Sequence, residues 1–148
     1  MDVPAVLTAM AEVIRSVPGV KSAHYPAPNS LSANNCPAVV MYWGGTDETM
    51  VSDLNVSSGT MWQPSVMAQI LIPRSGDTPQ EFASVDALIT PIVDAFARPT
   101  AEIPALAGKV HRCHATRIRS SLQLDYAGSA YYVAEINFDI KFHRRKTP

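Results

Sequence analysis

Histidine and cysteine side chains concentrate in one short segment, His111-Arg112-Cys113-His114. Imidazole nitrogens and thiolates are preferred zinc ligands, and a cysteine paired with a histidine can serve as a nucleophile. On a strand, side chains alternate between two faces, so His111 and Cys113 would point one way and His114 the other. Because no ligand spacing elsewhere in the sequence completes a site, we expect no metal, no catalytic residue and no enzymatic activity.

A glycine pair at positions 44–45 follows a candidate strand, as phosphate-binding loops do. The pair lacks the G-x-G-x-x-G pattern, and it is followed by Asp47 and Glu48 instead of a helix start that could hold phosphate. Trp43 and Trp62 could form an aromatic ligand platform, although aromatic residues at strand ends are more often the edge of a core. The sequence therefore predicts no cofactor.

The composition is that of one ordinary soluble domain, with 12 Lys plus Arg, 13 Asp plus Glu and 47% hydrophobic residues among 148. The longest apolar run, residues 37–43, is far shorter than the ~20 residues that span a bilayer, and Asp2 stands where a signal peptide carries positive charge. Cys36 and Cys113 are too few for a disulfide scaffold. We expect a single domain over residues 1–148, in a reducing compartment and without a membrane partner.

The net charge is small, but basic and acidic residues are distributed unequally along the chain. Residues 1–108 carry 4 basic and 10 acidic side chains, whereas residues 109–148 carry 8 basic and 3 acidic ones. This division suits head-to-tail self-association, because each subunit offers complementary charge to its neighbours, and it equally suits a nucleic-acid partner. The basic ending, residues 143–148, is either a solvated tail or a contact surface. Aromatic residues are not interleaved with the basic ones as in single-strand binders, so sequence-specific recognition of nucleic acid is not indicated.

Two amphipathic helices are predicted. Apolar residues recur at helical spacing over residues 3–17, with Asp2 as the N-cap. The second helix has the clearest start, because Thr78 as N-cap and Glu81 three residues later make a capping box. Pro91 lies within this second helix, and we expect a kink there rather than a break.

Strand patterns occupy most of the remaining chain. The candidates are a short strand near Val20–His24, then Ala38–Trp43, Trp62–Ile72, Lys109–Leu124 and Ala130–His143. The last is the most diagnostic, because its even positions from Tyr132 to Phe142 are all apolar while polar residues fill most odd ones. The order α-(β)-β-β-α-β-β predicts a two-layer α+β domain, with an antiparallel or mixed sheet of four to five strands and two helices packed on one face.

A long insertion at residues 44–61 separates two of the strands and exceeds the ~2–5 residues of an ordinary hairpin loop. It mixes acidic residues with large apolar ones, and exposed apolar residues of this kind usually await a partner. We expect Thr46 to Met61 to become ordered mainly on neighbouring subunits or tube protein, by extending the hairpin. The predicted protein interface comprises Asp47, Glu48, Met50, Val51, Leu54 and Trp62, together with Lys141, Arg144, Arg145 and Lys146 from the basic ending.

The order of elements resembles the tail terminator, or tail completion, proteins of long-tailed bacteriophages. The resemblance spans nearly the whole chain. It rests on an opening helix that ends at Val17-Pro18-Gly19, a Pro-punctuated loop leading to Pro37-Ala38-Val39-Val40, the long hairpin insertion, the helix from Asp86 to Ala97 and a closing pair of long strands.

This resemblance implies a non-enzymatic virion protein. Its partners would be copies of itself in a ring, commonly a hexamer, with the tail tube protein and the head-side connector or stopper protein. Its location would be the tail or neck of the virion, and the host cytoplasm during assembly. Two alternatives are a head-completion or stopper protein of the same virion, and a small-molecule-binding or hydrolytic α+β domain that uses Trp43, Trp62, His111 and His114.

Overall fold

The computed structural model describes residues 2–43, 49–51, 59–63, 65–74, 76 and 78–145, and of residues 49–51, 59–63, 78, 121 and 142–145 it describes the backbone. Three α-helices lie in this part of the chain: α1 (Val3–Arg15), α2 (Thr78–Asp86) and α3 (Ile89–Ala95). Seven strands accompany them: β1 (Ser22–His24), β2 (Ala38–Trp43), β3 (Thr49–Val51), β4 (Gly59–Gln63), β5 (Ser65–Pro73), β6 (Arg112–Tyr126) and β7 (Ser129–Arg145). None of the described helices is long and apolar enough to cross a membrane.

Helix α1 begins where the sequence predicts. The Asp2 carboxylate accepts a hydrogen bond from the Ala5 backbone N–H at 3.1 Å, which makes Asp2 the expected N-cap. The helix ends at Arg15, slightly before the predicted end, and Gly19 then adopts φ +96°, a conformation that other residues rarely take. The apolar stripe of α1 is buried, and its members are Val6, Leu7, Ala9, Met10, Ala11, Val13 and Ile14.

The second predicted helix is divided into α2 and α3, so the expectation of a kink at Pro91 is wrong. Pro91 explains the division, because it has no N–H for the Ala87 carbonyl and its ring would clash with that carbonyl in a continuous helix. Leu88 N–H instead bonds to the Val85 carbonyl at 3.1 Å, and the helix resumes with a bond from Ile92 N–H to the Leu88 carbonyl at 3.1 Å. Pro91 therefore lies in the first turn of α3, where proline is tolerated.

The seven described strands form one mixed sheet. Its order is β1-β2-β5-β7-β4-β3, and β6 pairs with β7. β1 and β2 run parallel, whereas the other described pairs are antiparallel. The predicted α+β class with helices on one side is confirmed, although the sheet has seven strands and not four to five.

The two additional strands lie largely in the insertion at residues 44–61, which the sequence patterns treat as a loop. The last two residues of β4 belong to the predicted strand Trp62–Ile72, so that strand is divided between β4 and β5. β3 pairs with β4, and β4 pairs with the end of β7 beyond the residues that pair with β5. One side of a long hairpin is thus formed by β2 and then β3. The other side is formed by β4 and then β5. We call β3, β4 and the end of β7 the hairpin arm. Its strands are short, and three to five residues are too few for a strand period to be recognised.

The main hydrophobic core lies between the helices and one face of the sheet. Alternate residues of β2, β5 and β7 supply the sheet side of this core, and Phe138 of β7 packs against Phe96 with ring centroids 4.8 Å apart. The opposite face, which we call the open face, is covered at one end by the Pro-rich loop after β1. There Tyr126 donates a hydrogen bond from its hydroxyl to the Pro28 carbonyl, and Tyr131 donates one to the Leu31 carbonyl at 3.4 Å.

The last two strands form a hairpin that spans the domain. Ala127 and Gly128, at φ 52° and 83°, make the tight turn between β6 and β7. β7 continues to Arg145, so residues 143–145 belong to a paired strand and not to the predicted basic tail. Residues 146–148 lie outside the described part of the chain.

Candidate functional site

A groove of about 580 Å³ lies between the segment that follows α3 and the start of β6, and we call it the β6 groove. Its two walls are residues 96–101 and residues 108–114. Thr100 ties these walls together, because its buried hydroxyl is 3.1 Å from the Val110 carbonyl and 3.0 Å from the His111 carbonyl and donates to this pair. The groove is therefore built by the fold and held by an internal hydrogen bond.

Cys113 lies in the groove wall, but its side chain is only 4% exposed. Burial raises the pKa of the Cys113 thiol to about 12. The residue is consequently a protonated thiol at neutral pH, whereas nucleophilic catalysis and zinc ligation both use the thiolate. A hydrolytic role for the 111–114 cluster lacks an activated nucleophile.

His111 and His114 both contribute to the wall of this one groove, although strand alternation predicted opposite faces. His111 precedes the first residue of β6, so the alternation does not strictly extend to it. His114 is half-buried, and its Nδ1 is buried without a hydrogen-bond partner in the structure. Among the residues described, no group of three or more His, Cys, Asp or Glu is arranged to hold a metal ion.

The lining of the β6 groove is cationic. Arg98 and Arg112 line it beside the two histidines, and the lining contains no Asp or Glu. Both arginines are exposed, and neither makes an ion pair within the part of the chain that the structure describes. Apolar side chains, including Phe96 and Val110, complete the lining. The groove therefore suits a group that combines negative charge with apolar surface.

The open face of the sheet carries a second polar arrangement. Gln69 of β5 lies directly opposite Glu135 of β7 and donates a hydrogen bond to it at 3.1 Å. Arg119 of β6 lies on the other side of Glu135, with 3.7 Å between Nη1 and Oε2. This network crosses three strands, from buried Gln69 through Glu135 to exposed Arg119.

The predicted aromatic platform consists of Trp43 and Trp62. Trp43 packs against the main core and does not line the β6 groove. Trp62 lies in β4, where the structure describes the backbone. His24, in β1, contacts the Ser22 hydroxyl at 2.9 Å, and burial, together with the nearby positive charge of Arg15, lowers the pKa of its imidazole. The aromatic platform therefore receives no support from the described residues.

The predicted interface residues fall mainly on the hairpin arm. Met50 and Val51 are in β3, Trp62 is in β4, and Lys141, Arg144 and Arg145 are in β7. Arg144 is opposite Thr60 and Arg145 is opposite Gly59, whereas half-buried Lys141 is opposite Arg112. The other predicted members, Asp47, Glu48, Leu54 and Lys146, lie outside the described residues.

Two groove residues are not among those that the sequence predicts. Arg98 and Thr100 come from an irregular segment between α3 and β6, where no period or motif marks them. Their proximity to Arg112 depends on how the chain packs after α3. The sequence carries no local signal that identifies either residue as part of a site.

Comparison with known proteins gives a likeness of fold. No protein-family model matches the chain, and no curated protein matches it. Among solved structures, a chain from the virion of a native gene transfer agent particle shares the fold with a TM-score of 0.58 and 14% sequence identity. The likeness covers 96% of this chain and 95% of that chain, so it extends over the complete α+β domain.

Proposed function

We propose that this chain is a structural protein of a phage-like virion, and that within the virion it is the tail terminator. In this role it forms a ring that caps the tail tube and joins it to the head-side connector. The observation that carries the proposal is the likeness to the virion chain over 96% of this chain, because a match of that extent concerns a whole fold and not a common motif. The resemblance of the element order to tail terminators supports the finer assignment.

The form of the sheet supports an assembling subunit. The pairing of β5 with β7 ends at Ser65 opposite Asp139, and the hairpin arm continues beyond it to Gly59 opposite Arg145. A narrow group of strands gains little stability without further packing. A neighbouring subunit would supply that packing.

The charge distribution supports repeated head-to-tail contacts. The first 108 residues carry 10 acidic side chains, and the last 40 carry 8 basic ones. A ring is built from heterologous contacts, in which two different surfaces of the same chain meet and the rotation closes. Surfaces of opposite charge within one chain favour such contacts over symmetric pairing.

A structural role is also consistent with the chemistry of the β6 groove. Its cysteine is a protonated thiol, since burial raises the pKa to about 12. The groove does favour one alternative, because His111 and His114 line it together as a binding site for a small anion would require. That alternative predicts a monomer whose groove is filled by a small molecule.

Native mass spectrometry of the purified chain, followed by electron microscopy with polymerising tail tube protein, tests the proposal. A tail terminator should form a ring, with a hexamer expected, and should bind tube ends and stop elongation. A stopper protein should form its ring but leave tube elongation unchanged. A chain that remains monomeric at every concentration contradicts both virion roles and favours the small-molecule alternative.

A further inference from the structure

We propose that the β6 groove receives an acidic segment of a neighbouring copy of this chain, residues 44–58. The proposal rests on the ring assembly proposed above and specifies the contact that would build the ring. The occupant is one segment of a second copy, and its recognition would be by carboxylates against the basic groove wall.

The groove has the charge that such an occupant requires. Arg98 and Arg112 are exposed on its walls, and within the described chain neither is neutralised by an ion pair. Arginine binds carboxylates through paired N–H donors, and these charge-assisted bonds are stronger than neutral ones. A groove lined by two arginines and two histidines without a carboxylate is therefore matched to a polyanionic segment.

His114 provides an observation independent of the arginines. Its Nδ1 is buried and lacks a hydrogen-bond partner in the described structure. A buried polar atom without a partner is costly, and such atoms are usually satisfied by a ligand, an ion or water. An Nδ1–H of His114 would donate to a carboxylate that reached it, so the groove wall offers a donor besides the arginines.

The proposed occupant is complementary in both charge and hydrophobicity. Residues 44–58 contain three acidic side chains and no basic one, and the acidic residues flank β3 on both sides. They alternate with large apolar residues that match the apolar part of the groove lining. A nucleic acid would offer the charge but not these aliphatic side chains, so the combination favours protein over nucleic acid. The acidic members are Asp47, Glu48 and Asp53, and the apolar ones are Met50, Val51, Leu54 and Val56.

The strand order favours a neighbouring chain over the same chain as the source. Locally the sheet runs β3-β4-β7-β6, so β3 lies three strand spacings from β6. At ~4.8 Å per spacing this separation is roughly 14 Å, across β4 and β7. A subunit's own β3 and its own groove thus lie on opposite edges of β7. The two surfaces can meet in a head-to-tail contact, which repeats around a closed ring.

The groove assignment is tested by peptide binding to the full-length chain. The host protein carries Asp47→Asn, Glu48→Gln and Asp53→Asn, so that its own segment does not compete. A fluorescent peptide of residues 44–58 should bind, and Arg112→Glu should weaken that binding at least about tenfold. Arg117→Glu is the matched control, because Arg117 is an exposed arginine of the same strand outside the groove lining. Equal affinity of both variants for the peptide overturns the assignment.

A second variant and a competitor keep the result interpretable. If Arg112→Glu loses its cooperative thermal transition, Arg98→Glu on the opposite wall is used in its place. The same weakening of peptide binding is expected for Arg98→Glu. Random-sequence duplex DNA should not displace the peptide at 150 mM salt, and displacement with comparable affinity overturns the protein occupant in favour of nucleic acid.

Native mass spectrometry of Arg112→Glu in the otherwise unchanged chain, with Asp47, Glu48 and Asp53 retained, separates this proposal from the ring itself. Arg112→Glu should reduce the ring population, and adding Asp47→Arg and Glu48→Arg to it should restore rings. If peptide binding depends on Arg112 but the chain never forms rings, the proposed ring function is contradicted. The assignment of the β6 groove as the binding site for residues 44–58 is then retained. If rings persist in Arg112→Glu and the peptide does not bind, the proposed ring function is retained. The proposal that the β6 groove forms the ring contact is then overturned.

Discussion

Gln69 and Glu135 are joined across the β5–β7 pair, where the Gln69 amide donates from Nε2 to Glu135 Oε1 at 3.1 Å. Gln69 is only 7% exposed, so its amide depends on this carboxylate for a partner. Arg119, on the other side of Glu135, has a side chain that is 59% exposed and can be hydrated instead. The two contacts of one carboxylate therefore differ in energetic consequence.

Replacing Glu135 should consequently cost more than replacing Arg119. Glu135→Ala leaves the buried Gln69 amide without its acceptor, and we expect a loss of about 1–3 kcal/mol in the free energy of unfolding. Arg119→Ala removes an exposed ion pair, for which at most ~1 kcal/mol is expected. Urea denaturation of the two variants measures the difference. Equal losses would show that the hydrogen bond to Gln69 contributes nothing distinctive.

Cys113 should link stability to alkaline pH. Burial raises the pKa of its thiol from the ordinary 9.0 to about 12, so the folded state holds this proton more tightly than the unfolded chain. The resulting stability is complete below about pH 9 and is lost as the pH rises toward 12.

The measurement compares wild type with Cys113→Ala by urea denaturation. Between about pH 7.5 and about pH 10.5, wild type should lose about 2 kcal/mol more free energy of unfolding than the variant. Cys36, whose thiol pKa burial also raises, is present in both proteins and cancels. If wild type and Cys113→Ala lose the same free energy of unfolding over this pH range, the Cys113 thiol does not link stability to pH.

The effect of replacing Pro91 on the free energy of unfolding distinguishes a broken helix from a kinked one. In the broken arrangement Pro91 occupies the first turn of α3, where no backbone hydrogen bond is lost. Pro91→Ala should therefore destabilise the fold slightly, by about 0.4–1 kcal/mol, because the unfolded chain gains freedom. A kinked continuous helix would instead be stabilised by up to ~3 kcal/mol on removal of the proline. A measured gain of that size contradicts the division into α2 and α3.

The same proline shows where sequence reasoning was sufficient and where it was not. Long periodic elements were located correctly, because the spacing of apolar residues alone defines the stripe on α1 and the apolar face of β7. The break between α2 and α3 depended on whether tertiary packing would hold a strained helix together, which the period does not contain. β3 and most of β4 were missed because strands of three and five residues show no recognisable period. β4 also pairs with the end of β7, far along the chain.

The candidate site was less predictable than the fold. The cluster at 111–114 was recognised by residue type, but its chemistry depended on burial, which keeps the Cys113 side chain a thiol. Arg98 and Thr100 joined the cluster only through the packing of an irregular segment, and such segments carry no period. Residue types therefore indicated where the groove begins, and packing determined what the groove can bind.

Gly19 provides a test of close packing between the turn that follows α1 and Leu88, which precedes α3. It adopts φ +96°, and a Cβ added there would lie 2.9 Å from Leu88 Cδ2. Gly19→Ala should therefore combine backbone strain of ~1–2 kcal/mol with the cost of displacing Leu88. Gly108→Ala is the matched control, because φ is +77° there and a Cβ would meet no atom within 4 Å. A loss of stability at Gly19 no larger than at Gly108 would contradict the close approach.

The basic end of β7 supplies the last prediction, which concerns assembly. Arg144 and Arg145 lie on the hairpin arm opposite β4, so their backbone is held within the subunit. Their charges are proposed to dock onto the acidic region of a neighbour, residues 45–108, which carries 8 acidic and 2 basic side chains. Each exposed ion pair contributes only ~0–1 kcal/mol, yet the same contact is repeated at every interface of a ring.

Charge reversal at both arginines, Arg144→Glu with Arg145→Glu, should therefore reduce the ring population in native mass spectrometry. Raised salt should act in the same direction, because exposed charges are screened. Asp47→Lys or Glu48→Lys in the reversed background should restore rings, since opposite charges would again face one another. A nucleic-acid role predicts a different result, with an unchanged ring and lost retention on duplex DNA at low salt, where phosphate contacts are strongest. An unchanged ring in the double reversal rejects docking through these arginines, whatever the effect on DNA.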